Sequence, residues 1–298
     1  MASFKKVETT VVDAKYEGRI KVFLESAEDV RIFSGHWFSH KQDKLHFVSA
    51  EGEQSGGGGC MAVIDKVSDS NSQKIEAYGI VDRDVLLSNA NLDLFWETDD
   101  TKFHDAQPYG DKIHVLRRWE LENYLLQPEA FAHEVSRRIS RSPAPDISAE
   151  TFLADVDDII QVTALTTYSV ANGQKSPNPA FGTNIPPGSD LSQEIDKFLK
   201  KQFPAPACPD ISKDAEKIRS FDQSTANPAA RWERLTRILD GKKSLMRLCR
   251  YISTSLNLNS IDHWEEMRGC LANIIASKGQ IDKELVKLIE EISSSSLA

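Results

Sequence analysis

This 298-residue sequence has no excess of positive charge, no long apolar run and no paired cysteines. A formal charge of -9 argues against a generally basic nucleic-acid binder, but it leaves room for a local basic surface, because binding responds to the local field. No stretch reaches the roughly 20 apolar residues that a membrane-spanning helix needs. The four cysteines, Cys60, Cys208, Cys249 and Cys270, show no Cys-x-x-Cys spacing. That removes the usual structural zinc pattern and any basis for a disulfide framework, so a reducing cytoplasm is the expected setting. Residues 1–17 mix Lys, Glu and Asp without an apolar run, unlike a secretory signal. The glycines at 56–59 are not followed by Gly-Lys-Ser/Thr, so they form no ATP-binding P-loop. There is no Gly-x-Ser-x-Gly motif, and no Cys-His pattern stands out.

What is present is an ordinary globular composition, 40% apolar and 27% charged, in a chain long enough for one large domain or two smaller ones. Arg19 to Leu24 is rich in β-branched and aromatic residues and predicts a strand ending at Glu25. Val30, Phe33 and Trp37 share one face of a helix over 27–38. Leu45 to Ser49 predicts a second strand. A glycine-rich turn then leads into a helix carrying Met61, Val63, Ile64 and Val67. Lys74 to Val81 predicts a third strand, ending at Asp82-Arg83-Asp84, and Lys112 to Leu116 a fourth. Successive strand–helix crossovers imply an α/β fold with a mainly parallel sheet. Sites in such sheets collect at the carboxyl ends of the strands.

Beyond Glu120 the texture turns helical. Helices are expected over 119–140, 152–170, 191–203, 231–239, 244–256, 261–277 and 283–292, with a Gly/Pro-rich loop over 172–189 and a proline-broken stretch at 204–209. The organisation expected is a catalytic core over 1–128 and a helical region over 129–298, in which 236–250 returns a basic segment to the site.

Three carboxylates stand where a sheet would gather them: Glu25 after the first strand, and Asp82 and Asp84 after the third. In an extended segment residues i and i+2 point the same way, so both aspartates can face one site while Arg83 points away into a structural role. Clustered carboxylates repel unless a cation neutralises them, and oxygen ligands without His or Cys favour Mg²⁺ or Mn²⁺. Turn and cap roles remain the ordinary alternative for such aspartates. His36 and His40 have helical metal-ligand spacing but lack a third ligand.

The run Val22-Phe23-Leu24-Glu25-Ser26-Ala27-Glu28-Asp29, the glycine-rich turn and Gly79-Ile80-Val81-Asp82-Arg83-Asp84 together resemble the TOPRIM motif set, in the version found in OLD-family nucleases. Leu116-Arg117-Arg118-Trp119-Glu120-Leu121-Glu122-Asn123-Tyr124-Leu125-Leu126 resembles the segment that follows that core in a small OLD-related group, the AriB-type effectors of PARIS anti-phage systems. The close resemblance covers roughly residues 19 to 126. It implies a nuclease using Mg²⁺ or Mn²⁺ in phosphodiester cleavage. Glu25 would be a metal ligand or general base. Asp82 and Asp84 would be metal ligands, and Glu122, with Glu120 second, the later acidic position. Asp29 would be a supporting or metal residue, or simply a solvated helical acid. Asp240-Gly241-Lys242-Lys243-Ser244-Leu245 resembles the segment that supplies a lysine to such sites, with Lys242 the matching position. An ammonium there stabilises charge on the scissile phosphate.

That lysine lies in the most basic stretch of the chain. Arg231 to Arg250 holds seven basic residues against Glu233 and Asp240, a local charge of +5. Lys243, Arg234, Arg237 and Arg247 are therefore candidates to grip flanking phosphates, a solvated helix face being the alternative. The resemblance further implies a toxic effector that cleaves host tRNA, an ABC-type (AriA-like) ATPase partner that sequesters it, and a homodimer when active. An OLD-like DNA nuclease, and a catalytically inert TOPRIM module, are the rival readings.

Overall fold

A computed structural model describes residues 18–51, 59–89, 91–139, 146–186, 190–203, 210–222 and 226–295. Residues 1–17, the glycines at 56–58, Cys208 and the prolines at 204, 206 and 209 lie outside them. The chain's contacts divide it into two compact units. One comprises residues 1–81, 106–115 and 281–298, the other residues 82–105 and 116–280.

The first unit is built on a four-stranded sheet in the order β2-β1-β3-β4, with β1 Ile20–Leu24, β2 Leu45–Ser49, β3 Ala77–Val81 and β4 Ile113–Val115. Every adjacent pair is parallel, as the crossovers predict. Ile20 to Leu24 pair with Leu45 to Ser49, Phe23 pairs with Gly79, and Val81 with Val115. All five residues of β1 are buried, because a central parallel strand is covered on both faces. That is why its sequence is a nearly continuous apolar run rather than an alternating one. The helix predicted over 27–38 begins as Ala27–Val30 and widens into a π-helical turn, Arg31–Trp37. Its aromatic face packs Phe33 against Trp37 and Phe47, at ring separations of 5.6 and 5.9 Å. The Cys60–Ser72 helix packs on β3. Leu285, Ile289 and Ile292 on the Lys283–Ser294 helix are buried one helical turn or so apart.

The second unit is helical. Its longer helices are Pro128–Arg138, Val156–Ala171, Ser192–Gln202, Ser212–Ser220, Pro228–Leu235, Gly241–Leu256 and Trp264–Ser277. The sequence-based helix over 119–140 is in fact two, Glu122–Leu125 and Pro128–Arg138. The residue before Pro128 is pushed out of the helical region, and Gln127 has ψ 117°. The helix over 152–170 likewise splits at Ala154-Asp155. Ser212–Ser220 and three short helices between Val85 and Asp105 went unforeseen. Each is too short, or too polar, for its apolar period to stand out. Among the described residues, no helix is long and apolar enough to cross a membrane.

Gly79 sits in β3 where the sheet and the Cys60–Ser72 helix meet. A Cβ there would lie 2.7 Å from Val63 Cγ1 and 2.8 Å from Ile113 Cδ1. Gly79→Ala should therefore overpack this core and lower the free energy of unfolding by about 1–3 kcal/mol, measured as a lower urea midpoint at unchanged slope.

Candidate active site

In the first unit, Glu25 leaves the end of β1 and its Oε1 accepts the Cys60 thiol at 2.8 Å. Asp29 has a defined local task. Ser26 caps the helix and receives the Asp29 N–H at 3.1 Å, while the Asp29 carboxylate accepts the Ser26 N–H at 3.1 Å and the Ser26 hydroxyl at 2.7 Å. This is a reciprocal capping box.

The second unit opens with Asp82-Arg83-Asp84. These residues do not continue the strand. β3 stops at Val81, and Asp84 is already the N-cap of a short helix, with φ -65° and ψ -14°. Asp82 and Asp84 therefore do not lie along an extended segment as the sequence pattern suggests. What positions them is Arg83, which is 1% exposed. Its guanidinium donates to the carbonyls of Phe95 and Glu97, both at 2.7 Å, and of Arg117 at 2.7 Å, and it lies 4.2 Å from the Phe103 ring centre. Its backbone N–H donates to the Trp119 carbonyl at 2.8 Å. A buried guanidinium needs such a set of acceptors, and the set pins the aspartate turn to the segment that carries Glu120 and Glu122.

That segment meets the start of the Gly241–Leu256 helix. The Glu120 carboxylate accepts the Lys242 backbone N–H and pairs with the Lys242 ammonium at 3.0 Å. Asn123 orients the junction, accepting the Glu120 N–H at 3.0 Å and donating to the Leu239 carbonyl at 2.8 Å. Position 241 tolerates no side chain, since a Cβ would meet Asn123 Oδ1 at 2.4 Å. Asp240 caps the same helix through the Lys243 N–H at 3.0 Å. The Lys242 ammonium is held above the usual lysine range, chiefly by Glu120 against the opposing effect of burial, with Glu122 and Asp82 adding to it. Asp82, Glu120, Glu122 and Lys242 thus belong to one electrostatic group. Glu122, 1% exposed, also pairs with Arg268 at 3.1 Å.

The carboxylates of Asp82, Glu120 and Glu122 offer oxygen donors of the kind that suits a hard divalent cation. Among the described residues, however, Asp82, Asp84, Glu120 and Glu122 do not bring three carboxylate oxygens within 4.8 Å of one another. Lys242 and Arg268 pair with two of these acids, Glu120 and Glu122. Arg268 gave one signal in the sequence, a charge in the apolar stripe of Met267, Leu271 and Ile275. Such a residue needs a buried partner.

The basic stretch is the clearest departure from expectation. Lys243 does not face solvent as a phosphate grip. It is 8% exposed and bonds Asp240 at 2.6 Å and Ser176 Oγ at 3.1 Å. Arg247, 4% exposed, bonds Asp155 at 2.6 Å, Asp158, and the Gly182 carbonyl at 2.9 Å. Both bind the Gly/Pro-rich loop to this helix. Arg237 is buried between Asp100, at 2.7 Å, and Glu233, at 3.3 Å, while Arg234 donates to the Phe221 carbonyl at 3.3 Å. Uncompensated buried charge is costly, so the helix draws its counterions from the rest of the unit.

No protein-family model matches the chain, and no curated protein matches it.

Two predictions follow from these pairs. Arg268→Ala removes the buried cation paired with Glu122 and should cost about 3–5 kcal/mol in chemical denaturation, whereas Arg268→Lys recovers part of it. Burial pushes the Asp155 carboxyl up to about 6, against the opposing pull of Arg247 and with Asp158 adding to the rise. A raised acid favours the folded state below its ordinary value of 3.8, and that contribution is lost as pH climbs through about 6. The stability of the wild type relative to Asp155→Asn should therefore decline between pH 4 and pH 7, by on the order of 2 kcal/mol. A flat difference would contradict the assignment.

Proposed function

We propose that this chain is a metal-dependent nuclease of the TOPRIM kind, a toxic effector of anti-phage defence that cleaves host tRNA in the cytoplasm. The observation that carries the reading is the Lys242 ammonium, set at the start of a 16-residue helix and electrostatically coupled to Asp82, Glu120 and Glu122. The motif resemblance names these same residues. By the motif resemblance, Glu25, Asp82, Asp84 and Glu122 match the positions that would hold Mg²⁺ or Mn²⁺. A bound cation of this class supplies an activated water and neutralises charge on the leaving oxygen.

The chain's own groups perform the rest. Lys242 holds a proton firmly and presents a fixed positive charge, worth most where a phosphorane oxygen gains negative charge. Glu120 orients that ammonium. Asn123 and Gly241 hold Glu120 and the helix start in register, since no Cβ separates them. Glu25 serves as ligand or general base. In keeping with the resemblance, the chain works with an ABC-type ATPase partner that keeps it inactive, and acts as a homodimer once released.

One observation favours a second reading. Glu120 and Glu122 are both engaged by cations of the same unit, as expected of a catalytically inert interaction module. Thermal melts with Mg²⁺ or Mn²⁺ separate the two, because a site that binds the ion is stabilised by it and an inert module is not.

The decisive experiment sequences the ends of cellular RNA and DNA after brief expression of the wild type with its ATPase and trigger, beside Glu25→Ala and Lys242→Ala. New tRNA ends that fall at least about 100-fold in both variants, in line with loss of a catalytic group, support the reading. DNA ends redirect it to an OLD-like DNA nuclease. No new ends from folded, triggered protein overturn it.

A further inference from the structure

Three helices of the second unit, Val156–Ala171, Ser192–Gln202 and Ser212–Ser220, line an open-mouthed cavity of about 320 Å³. The spacing of its residues follows from the helices. Ser192, Ile195, Asp196 and Leu199 stand at i, i+3, i+4 and i+7, one face of a helix. Ile211, Ala215 and Arg219 stand at i, i+4 and i+8 into the next. Gln161 closes the lining from the third side.

The floor is apolar. Ile195, Leu199 and Ala215 are 4%, 2% and 6% exposed. Ile195 and Leu199 belong to a core cluster with Val162, Leu165 and Leu191, against which Ile211 also packs. The floor is thus the outer side of a packed core and is formed before any ligand arrives. The rim is polar. Asp196 and Asp210 are exposed carboxylates, and among the described residues neither is in an ion pair. The lining residue of positive charge, Arg219, reaches Asp157 at 3.1 Å instead. The Ser212 side chain, then its backbone N–H at 2.9 Å, hold the Asp210 carboxyl below its ordinary value against desolvation, with Lys213 adding to the effect. The Gln161 amide makes no hydrogen bond among the described residues.

Water satisfies exposed carboxylates well enough. It gains little above a packed apolar floor, where an apolar body would recover hydrophobic and dispersion contacts. A preformed apolar surface ringed by a few polar groups is the pattern of small-molecule sites, and their volumes run from roughly 300 to 1,000 Å³. This cavity lies at the small end. Charge complementarity then selects the occupant, because a rim of carboxylates admits a positive group and repels an anion.

We propose that this cavity binds a small organic amine, its ammonium group facing the carboxylates of Asp196 and Asp210 and its hydrocarbon body lying on Ile195, Leu199, Ile211 and Ala215. The Gln161 amide supplies a further acceptor for an N–H of the ligand. The site shares no residue with the group around Glu120 and Lys242, and it does not rest on the nuclease reading.

Methyl NMR of the full chain, labelled at isoleucine and leucine, tests this. Tryptamine and isoamylamine are the probes. Tryptophol and isoamyl alcohol keep each body and replace the ammonium with a neutral hydroxyl. The amines should move the methyl signals of Ile195, Leu199 and Ile211 to saturation and leave those of the first unit's core, such as Ile20 and Leu45, in place. Each alcohol should bind at least about tenfold more weakly, the loss expected for a charge-assisted hydrogen bond. Asp196→Asn and Asp210→Asn change exposed positions, and asparagine at 210 keeps the turn hydrogen bond, so the remaining methyl spectrum reports that the fold is intact. Together the two substitutions should bring amine affinity down to that of the alcohols. Cavity methyls that stay still with both amines overturn the proposal. So does equal binding of amine and alcohol, or a doubly substituted protein that binds amines as the wild type does.

Discussion

The Glu120 carboxylate is the interaction on which the rest of the second unit's site depends. One side chain, 5% exposed, both caps the Gly241–Leu256 helix through the Lys242 N–H and neutralises the Lys242 ammonium. A helix N-terminus carries unsatisfied N–H groups and partial positive charge, so a buried carboxylate there is stabilised twice. The arrangement demands close approach of two backbones, which Gly241 permits and any Cβ would prevent. Asn123 then closes the junction by satisfying both segments.

Around that junction the unit handles buried charge by a consistent rule. Arg83 is satisfied by carbonyls and aromatic faces, Arg247 by Asp155 and Asp158, Lys243 by Asp240, and Arg268 by Glu122. Such pairs add little net stability, because desolvation offsets attraction. They do impose register, since each cation accepts only the partner that reaches it. The Gly/Pro-rich loop, without regular structure of its own, is tied to the Lys242 helix in this way through Ser176 and the Gly182 carbonyl.

Much of the fold was legible in the chain because it rests on local signals. β1 and β2 end at Leu24 and Ser49, as the apolar runs indicate, and parallel pairing follows from strand–helix alternation. The Gly-Lys pair at 241–242 and the acids at 82, 120 and 122 were all recognisable as chemistry-bearing residues, and the second unit does group them. Less legible were features with no periodic trace. The capping box of Ser26 and Asp29 is one such feature, shown only by the hydrogen bonds between them. The strand pattern gives no mark of where pairing stops, so residues 82–84 read as extended in the sequence.

The basic stretch from 231 to 250 shows where the boundary falls. Its composition determined that the segment is cationic and helical, and resemblance to a known motif singled out Lys242. Only the tertiary structure decided which of its cations face solvent and which face inward, because counterions such as Asp155, Asp158 and Asp100 come from positions 89 to 137 residues away. Hydrophobic period and cap chemistry act over a few residues and are written locally. The cost of burying a charge is set by whatever long-range packing brings beside it, and a linear sequence carries no local signal of that.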